Sequence, residues 1–188
     1  EPLFYMNNLK DDPTKLEPLM GKSYTISDDA KTIDVTIRDG EKWSDGKPYT
    51  AEDVAYTFNL LNSNKALNTS GFAGSAKVLS DTEVRITLDK PESVNALSYL
   101  SGTMIVPKHV WEKIDDPVTY TNKDAVGSGP FTVKGGNFSP TAYTFKKNPY
   151  YWDEGKPEID GVRYVLITGG TQASQNALTA GDVDWMSA

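Results

Sequence analysis

Cysteine is absent from the 188-residue sequence, and histidine occurs once, as His109. Structural zinc sites draw on several cysteine and histidine ligands, so the sequence argues against such a site. The missing thiols also exclude a cysteine nucleophile and a disulfide framework, although a chain without disulfides can reside in any compartment. No phosphate-loop lysine follows the Gly169-Gly170 pair, which argues against a nucleotide site. We therefore predict no metal and no cofactor.

The sequence also lacks a long apolar run and an excess of positive charge. No apolar run approaches the length that spans a bilayer, and no signal peptide is recognisable. The formal net charge is −7 and the basic residues are scattered, which argues against nucleic acid and against an anionic membrane surface as partners. The length suffices for a hydrophobic core and fits one large domain or two small ones.

Motifs of nucleophilic catalysis are missing as well. There is no Gly-x-Ser-x-Gly sequence, and a Ser–His–Asp set would depend on His109, which no supporting motif surrounds. Asp182 and Asp184 could offer oxygen ligands to Mg²⁺ or Ca²⁺, but no calcium-loop pattern surrounds them. The same pair keeps a carboxylate-dependent glycoside hydrolase open as an alternative, although acidic side chains at turns are usually solvated. These absences favour a binding protein over an enzyme.

What the sequence does contain is organised around a stretch at residues 36–59, TIRDGEKWSDGKPYTAEDVAYTFN. An alternating strand at 33–37 leads into two Asp-Gly turns. Thr50 is placed to cap a helix, and Asp53 three residues later makes a near capping box. Apolar residues at helical spacing then predict an amphipathic helix. Because the turns, the cap and the apolar helix face account for this stretch without a ligand, we interpret Trp43 and Asp45 within it as structural.

Similar patterns predict the remaining elements. A polar, irregular segment at 115–126 suggests a boundary between residues 1–124 and residues 125–188. The expected fold class is α/β (mixed α+β), with mixed or antiparallel sheets and flanking helices. The further predicted strands lie at 22–27, 76–79, 84–88, around 143–145, at 162–167 and at 183–186, and one more begins at 131 and is broken at Gly135-Gly136. The strand at 162–167 is expected to be covered on both faces. Helices are predicted at 93–100, 108–113 and 172–180, and the last of them is capped by Thr171 and stopped by Gly181.

Aromatic residues are frequent, with four Trp and ten Tyr. Most are expected in the core or at turns, because large rings pack a small domain efficiently. Trp185 follows an apolar strand–helix unit and is the best candidate for a platform on which a ligand stacks. Phe72 stands in the polar loop NTSGFAG, where we expect it to be exposed.

The motifs together resemble a known family. The 36–59 stretch is followed, in order, by IVPKHVW, VGSGPFTV, KKNPYYWDEGKPEIDGVRYVLI and NALTAGDVDWM. This series is similar to the family 5 extracellular solute-binding proteins of ABC transporters, which are receptors for oligopeptides, dipeptides, nickel or oligosaccharides. Because the chain starts without Met and stops abruptly, we expect a fragment covering most of the N-terminal lobe.

The resemblance implies a periplasmic-binding-protein-like lobe of a two-lobed receptor that closes around its ligand. Residues 1–124 would be the small additional subdomain of lobe I, and residues 125–188 part of its ligand-facing subdomain, with the second lobe absent. The motif variants are closest to a branch that binds cello-oligosaccharides, and oligopeptide or dipeptide binding is the alternative. By similarity, the ligand contacts would be Phe72, Gln172, Asn176 and Trp185.

The resemblance also implies partners and a location. The receptor would act as a monomer, deliver its small-molecule ligand to the membrane permease of an ABC importer, and bind no nucleic acid. It would reside outside the cytoplasmic membrane, in the periplasm or as a cell-surface lipoprotein.

Overall fold

The computed structural model of the chain describes residues 1–12 and 14–186. Within these residues, every helix is too short or too polar to span a lipid bilayer. The elements are, in chain order, strands β1 (Phe4–Tyr5), β2 (Glu17–Pro18), β3 (Gly21–Ile26) and β4 (Thr32–Ile37), helix α1 (Ala51–Ser63), strands β5 (Gly74–Ser80) and β6 (Glu83–Leu88), helices α2 (Ser93–Gly102) and α3 (Lys108–Trp111), strands β7 (Phe131–Phe138), β8 (Ala142–Lys147) and β9 (Gly161–Val165), and helix α4 (Gly170–Ala180).

Helix α1 packs on a four-stranded antiparallel sheet with the order β3-β4-β6-β5. The alternation read from the sequence is confirmed, because the apolar residues of β4 and β6 are buried and the residues between them are not. The buried face of α1 completes this core with Val54 and Phe58, both fully enclosed. Burial of these side chains from the sheet and the helix is the main stabilising contribution in this half of the chain.

The start of α1 follows the predicted capping box. Thr50 Oγ1 accepts a hydrogen bond from the Glu52 amide (3.3 Å), and Asp53 Oδ2 accepts one from the Thr50 amide (2.9 Å). Both bonds satisfy backbone donors that a helix start would otherwise leave without partners. The structural interpretation of Trp43 agrees with its position, since its ring is completely buried and lies 4.8 Å from the ring of Tyr49.

The second half of the chain forms a three-stranded antiparallel sheet with the order β7-β8-β9. The predicted break at Gly135-Gly136 is wrong, because β7 continues to Phe138. Its pairing with β8 instead shifts register between Thr132 and Asn137. Gly135 has a φ of +74°, which the extra residues of a bulge often require and which glycine adopts without strain.

Strand β9 differs from its prediction in coverage. The sequence suggested a strand covered on both faces, yet the side chains of Tyr164 and Leu166 are 44% and 65% exposed. These apolar side chains therefore form a surface on one face of the sheet that the described residues do not cover. All observed strand pairings are antiparallel, which confirms the mixed α and β fold with antiparallel sheets.

Contacts join the two halves of the chain. The Ser44 amide donates to the Gly127 carbonyl (2.9 Å), and the Gly127 amide donates back to Ser44 Oγ (3.2 Å). The Arg38 guanidinium lies 3.8 Å from the centre of the Trp152 ring, a cation–π distance. The two larger sheets lie on either side of the 124–125 boundary, and their assignment to two subdomains of one lobe stays a prediction.

Candidate functional site

Helix α4 carries two of the predicted ligand-binding residues. Thr171 does not cap it, which corrects the sequence expectation. The helix starts at Gly170, and Gly169 occupies the capping position with a φ of 113° and without a side-chain bond. Gly181 ends the helix in the left-handed conformation, as predicted, and its amide donates to Leu178 at 3.2 Å. None of the helix residues is buried, so α4 presents most of its surface to solvent.

The side-chain amides of Gln172 and Asn176 lie on the same side of α4. Gln172 Nε2 donates to Asn176 Oδ1 across 3.1 Å, the spacing of one helical turn. The bond leaves the Asn176 amino group and the Gln172 carbonyl oxygen available, and both side chains are exposed. This amide pair can therefore both donate hydrogen bonds to a polar ligand and accept them from it.

Trp185 lies beyond α4 in an irregular segment. The predicted strand at 183–186 does not form, since this segment pairs with no strand among the residues that the structure describes. The Trp185 side chain is 72% exposed, and it is the most exposed aromatic ring among those described. Asp182 and Asp184, the acidic residues of the hydrolase alternative, are also exposed there. A free indole face of this kind can stack on the C–H face of a sugar or on a peptide plane.

Phe72 occupies a different environment from the one predicted. Its side chain is only 2% exposed, and its ring lies edge-on to Phe58 at 5.0 Å and to Tyr99 at 5.4 Å. The side chain of Asn68 turns it inward, since this amide donates to the Phe72 carbonyl (2.7 Å) and accepts from the Phe72 amide (2.9 Å). The expectation of an exposed ring is wrong, and Phe72 offers no face to a ligand in this arrangement.

Sequence reasoning missed an exposed aromatic row on the three-stranded sheet. Phe138, Tyr143 and Tyr164 are register neighbours on β7, β8 and β9. The Tyr143 and Tyr164 rings stack at 5.0 Å with 21° between planes, and those of Phe138 and Tyr143 at 6.1 Å with 10°. The signal in the sequence was limited to the alternating Tyr143 and Phe145 of β8, and only the strand register shows that rings from β7 and β9 align with them.

The charged groups of these surfaces do not form a metal centre. No three His, Asp or Glu side chains converge among residues 1–12 and 14–186. The one histidine instead joins α3 to the turn before α1, with His109 Nε2 at 2.9 Å from Asp45 Oδ2. Partial burial opposes ionisation of Asp45, but the Lys47 amide and the His109 ring outweigh it and hold the pKa of this carboxyl below its usual range. Asp45 is therefore a structural partner, as the sequence indicated.

Comparison with known proteins agrees with a lobe of the binding-protein type. Residues 15–188 match the model of the bacterial extracellular solute-binding proteins, family 5 (middle part). The chain belongs to this family. It spans between a quarter and a third of the length of the curated relatives it matches, that is, 25% to 34% of their sequences. One of them is the peptidoglycan-binding protein YepA of Agrobacterium fabrum, with 32% identity over 93% of this chain and 29% of that protein.

Two solved structures show the same fold with ligands of different chemistry. The periplasmic oligopeptide-binding protein of Thermotoga maritima, solved with mannohexaose bound, is 26% identical with a TM-score of 0.84, over 97% of this chain and 34% of that one. The oligopeptide-binding protein AppA of Bacillus subtilis, solved with a nonapeptide, is 25% identical with a TM-score of 0.81, over 97% of this chain and 36% of that one.

Proposed function

We propose that this chain is part of the ligand-capturing receptor of an ABC importer, which binds an oligosaccharide of the cello-oligosaccharide type outside the cytoplasmic membrane. The observation that carries the proposal is the exposed indole of Trp185 close in sequence to the exposed amide pair of α4, on a chain of this receptor family. A flat ring for the C–H face of a sugar and amides for its hydroxyl groups form a suitable combination for a glycan.

The mechanism of this receptor would be capture without chemistry. The described lobe supplies one wall of the site through Trp185, Gln172 and Asn176, and a second lobe closes over the ligand and excludes water. The closed receptor, acting as a monomer, then docks on a membrane permease and releases its cargo. Residues 1–124 would form the additional subdomain of this lobe and residues 125–188 the ligand-facing one.

Oligopeptide capture is the second candidate. It is supported by the nonapeptide complex of the related AppA, since a receptor of the same fold holds a peptide there. A peptide also offers flat amide planes to an indole and hydrogen-bonding groups to side-chain amides. The two candidates differ in which ligand Trp185 contacts and share the same lobe.

Calorimetric titration of the full-length receptor with cello-oligosaccharides and with short peptides tests the proposal. We expect saturable binding of the sugar, and Trp185→Ala to weaken it about tenfold or more because a central aromatic anchor is lost. Tyr5→Ala is the matched control, since Tyr5 is 51% exposed on β1 and has no assigned role. Binding of peptides without binding of cello-oligosaccharides would favour oligopeptide capture. Binding of neither ligand would overturn both candidates.

The 188-residue chain by itself should bind the same ligand much more weakly than the receptor, because one wall of the site is missing. Affinity equal to that of the full-length protein would contradict the two-lobe mechanism.

A further inference from the structure

A cleft separate from α4 and Trp185 lies where the two halves of the chain meet. Its volume is about 440 Å³, within the range of small-molecule sites. Its walls are the turn at Ser44 and Asp45, the segment 123–126 and the inner part of β7. The paired hydrogen bonds between Ser44 and Gly127 hold two of these walls together.

The third wall of the cleft is shaped by the bulge in β7. Between Thr132 and Asn137 the strand departs from regular pairing with β8, and Lys134, Gly135 and Gly136 from this interval line the cleft. A side chain at Gly136 would collide with the carbonyl oxygen of Thr144, so glycine is required for the close approach of the two strands. Bulges of this kind re-aim side chains, and they are frequent beside functional sites.

Two lysines and two aspartates line the cleft, so the formal charge of its lining is zero. Lys123 and Lys134 are exposed there, and neither forms an ion pair among residues 1–12 and 14–186. Of the two acidic residues in the lining, Asp45 is engaged by the ring of His109 at 2.9 Å and by the Lys47 amide at 3.1 Å. Asp45 thus already has hydrogen-bond donors, whereas Lys123 and Lys134 have no acidic partner among the described residues, so their ammonium groups remain available to a ligand.

We propose that this cleft binds a small organic anion, namely a carboxylate with an apolar body. The ammonium groups of Lys123 and Lys134 would pair with the carboxylate, and the side chains of Val133 and Phe138 would contact the apolar part. Phe138 is 56% exposed, so a ligand can reach its ring. The site is independent of the proposed transport function, because it shares no residue with the Trp185 and α4 surface.

Titration of the 188-residue chain with phenylacetate, followed by backbone amide NMR, tests the site. We expect saturable shifts at Val126, Val133 and Phe138, with a dissociation constant in the millimolar range or tighter. The neutral isostere phenylacetamide should bind about tenfold more weakly, because it loses the charge-assisted bonds. Equal binding of the two compounds, or shifts confined to other parts of the chain, would overturn the proposal.

The double substitution Lys123→Met with Lys134→Met should abolish the difference between phenylacetate and phenylacetamide. Lys77→Met is the matched control, because Lys77 is an exposed lysine on β5 in the other sheet. A double variant with the wild-type melting temperature and wild-type phenylacetate affinity would contradict the role of the lysines. The titration is repeated on the full-length receptor, where loss of the cleft shifts would show that other parts of the protein fill the cleft and would overturn the site.

Discussion

The indole Nε1 of Trp43 donates a hydrogen bond to Asp53 Oδ2 across 3.2 Å, and both side chains are buried. The same carboxylate accepts bonds from the Thr50 amide at 2.9 Å and the Lys108 amide at 2.8 Å. Asp53 therefore connects the turn before α1, the first turn of α1 and the start of α3. A buried carboxylate is tolerated here because several donors replace the water it has lost.

Replacing Asp53 with Asn should lower the free energy of unfolding by about 1 to 3 kcal/mol. Asn carries an NH2 group in place of one carboxylate oxygen. This donor would face the backbone or indole donors, and the charge-assisted bonds would be lost. Urea denaturation measures the effect. Asp39→Asn, at an exposed turn with no side-chain bond described, is the control and should change stability little. Equal stability of the two variants would contradict the connecting role of Asp53.

Two carboxyl groups should respond to acid in opposite directions. Burial raises the pKa of Asp53, so the folded state binds this proton more readily than the unfolded state. The guanidinium of Arg85, bonded to both oxygens of Asp34 at 2.7 Å, lowers the pKa of Asp34, so the folded state releases that proton more readily. Acidification should therefore increase the contribution of Asp53 to the free energy of unfolding and decrease the contribution of Asp34.

Urea denaturation of the wild type, Asp34→Asn and Asp53→Asn over a pH series checks the signs. The stability advantage of the wild type over Asp34→Asn, at most about 1 kcal/mol for an exposed pair, should be present at neutral pH. It should disappear as the pH falls from the usual Asp value through the lowered pKa of Asp34. The advantage over Asp53→Asn should grow as the pH falls through the raised pKa of Asp53. Parallel changes in both differences would contradict the assigned pKa directions.

Asn59 protects the edge of the four-stranded sheet. From α1, its side-chain amide donates to the Ala76 carbonyl at 2.9 Å and accepts from the Ala76 amide at 2.9 Å. These bonds occupy backbone groups of the edge strand β5 that a foreign strand could otherwise use. Asn59→Ala should cost about 1 to 2 kcal/mol and increase aggregation on incubation, measured by light scattering. Asn8→Ala, at an exposed loop position, should do neither.

The elements with purely local signals are the ones that the sequence predicted well. The alternation of Ile33, Val35 and Ile37 and the Thr50 cap with Asp53 are properties of neighbouring residues, so they needed no knowledge of the partner elements. The family resemblance rested on the same local motifs, and it is confirmed over residues 15–188.

Predictions that depended on distant partners were less successful. The polar loop around Phe72 suggested exposure, but the bonds from Asn68 turn the ring into a pocket made by α1 and α2. Gly135 and Gly136 suggested a break, whereas pairing with β8 on both sides of them maintains the strand. The cleft with Lys123 and Lys134 unites segments that are far apart in the sequence, and no periodicity indicates such a meeting.

Two buried threonines should respond to the same substitution in opposite directions. Thr103 is 6% exposed, and its Oγ1 has no hydrogen-bond partner among the described residues. Thr57 is 2% exposed, but its hydroxyl donates to the Asp53 carbonyl at 2.8 Å and accepts from the Val106 amide at 3.0 Å. Valine has nearly the shape of threonine, so the substitution isolates the hydroxyl.

Thr103→Val should raise the free energy of unfolding by about 1 kcal/mol, because it removes a buried polar group without a partner. Thr57→Val should lower it by about 1 to 3 kcal/mol, because the Val106 amide then stays buried without its acceptor. Urea denaturation of both variants beside the wild type gives the two values under identical conditions. Destabilisation by both would mean that the Thr103 hydroxyl has a partner in solution, such as a bound water, and would refute the assignment of Thr103 as an unsatisfied group.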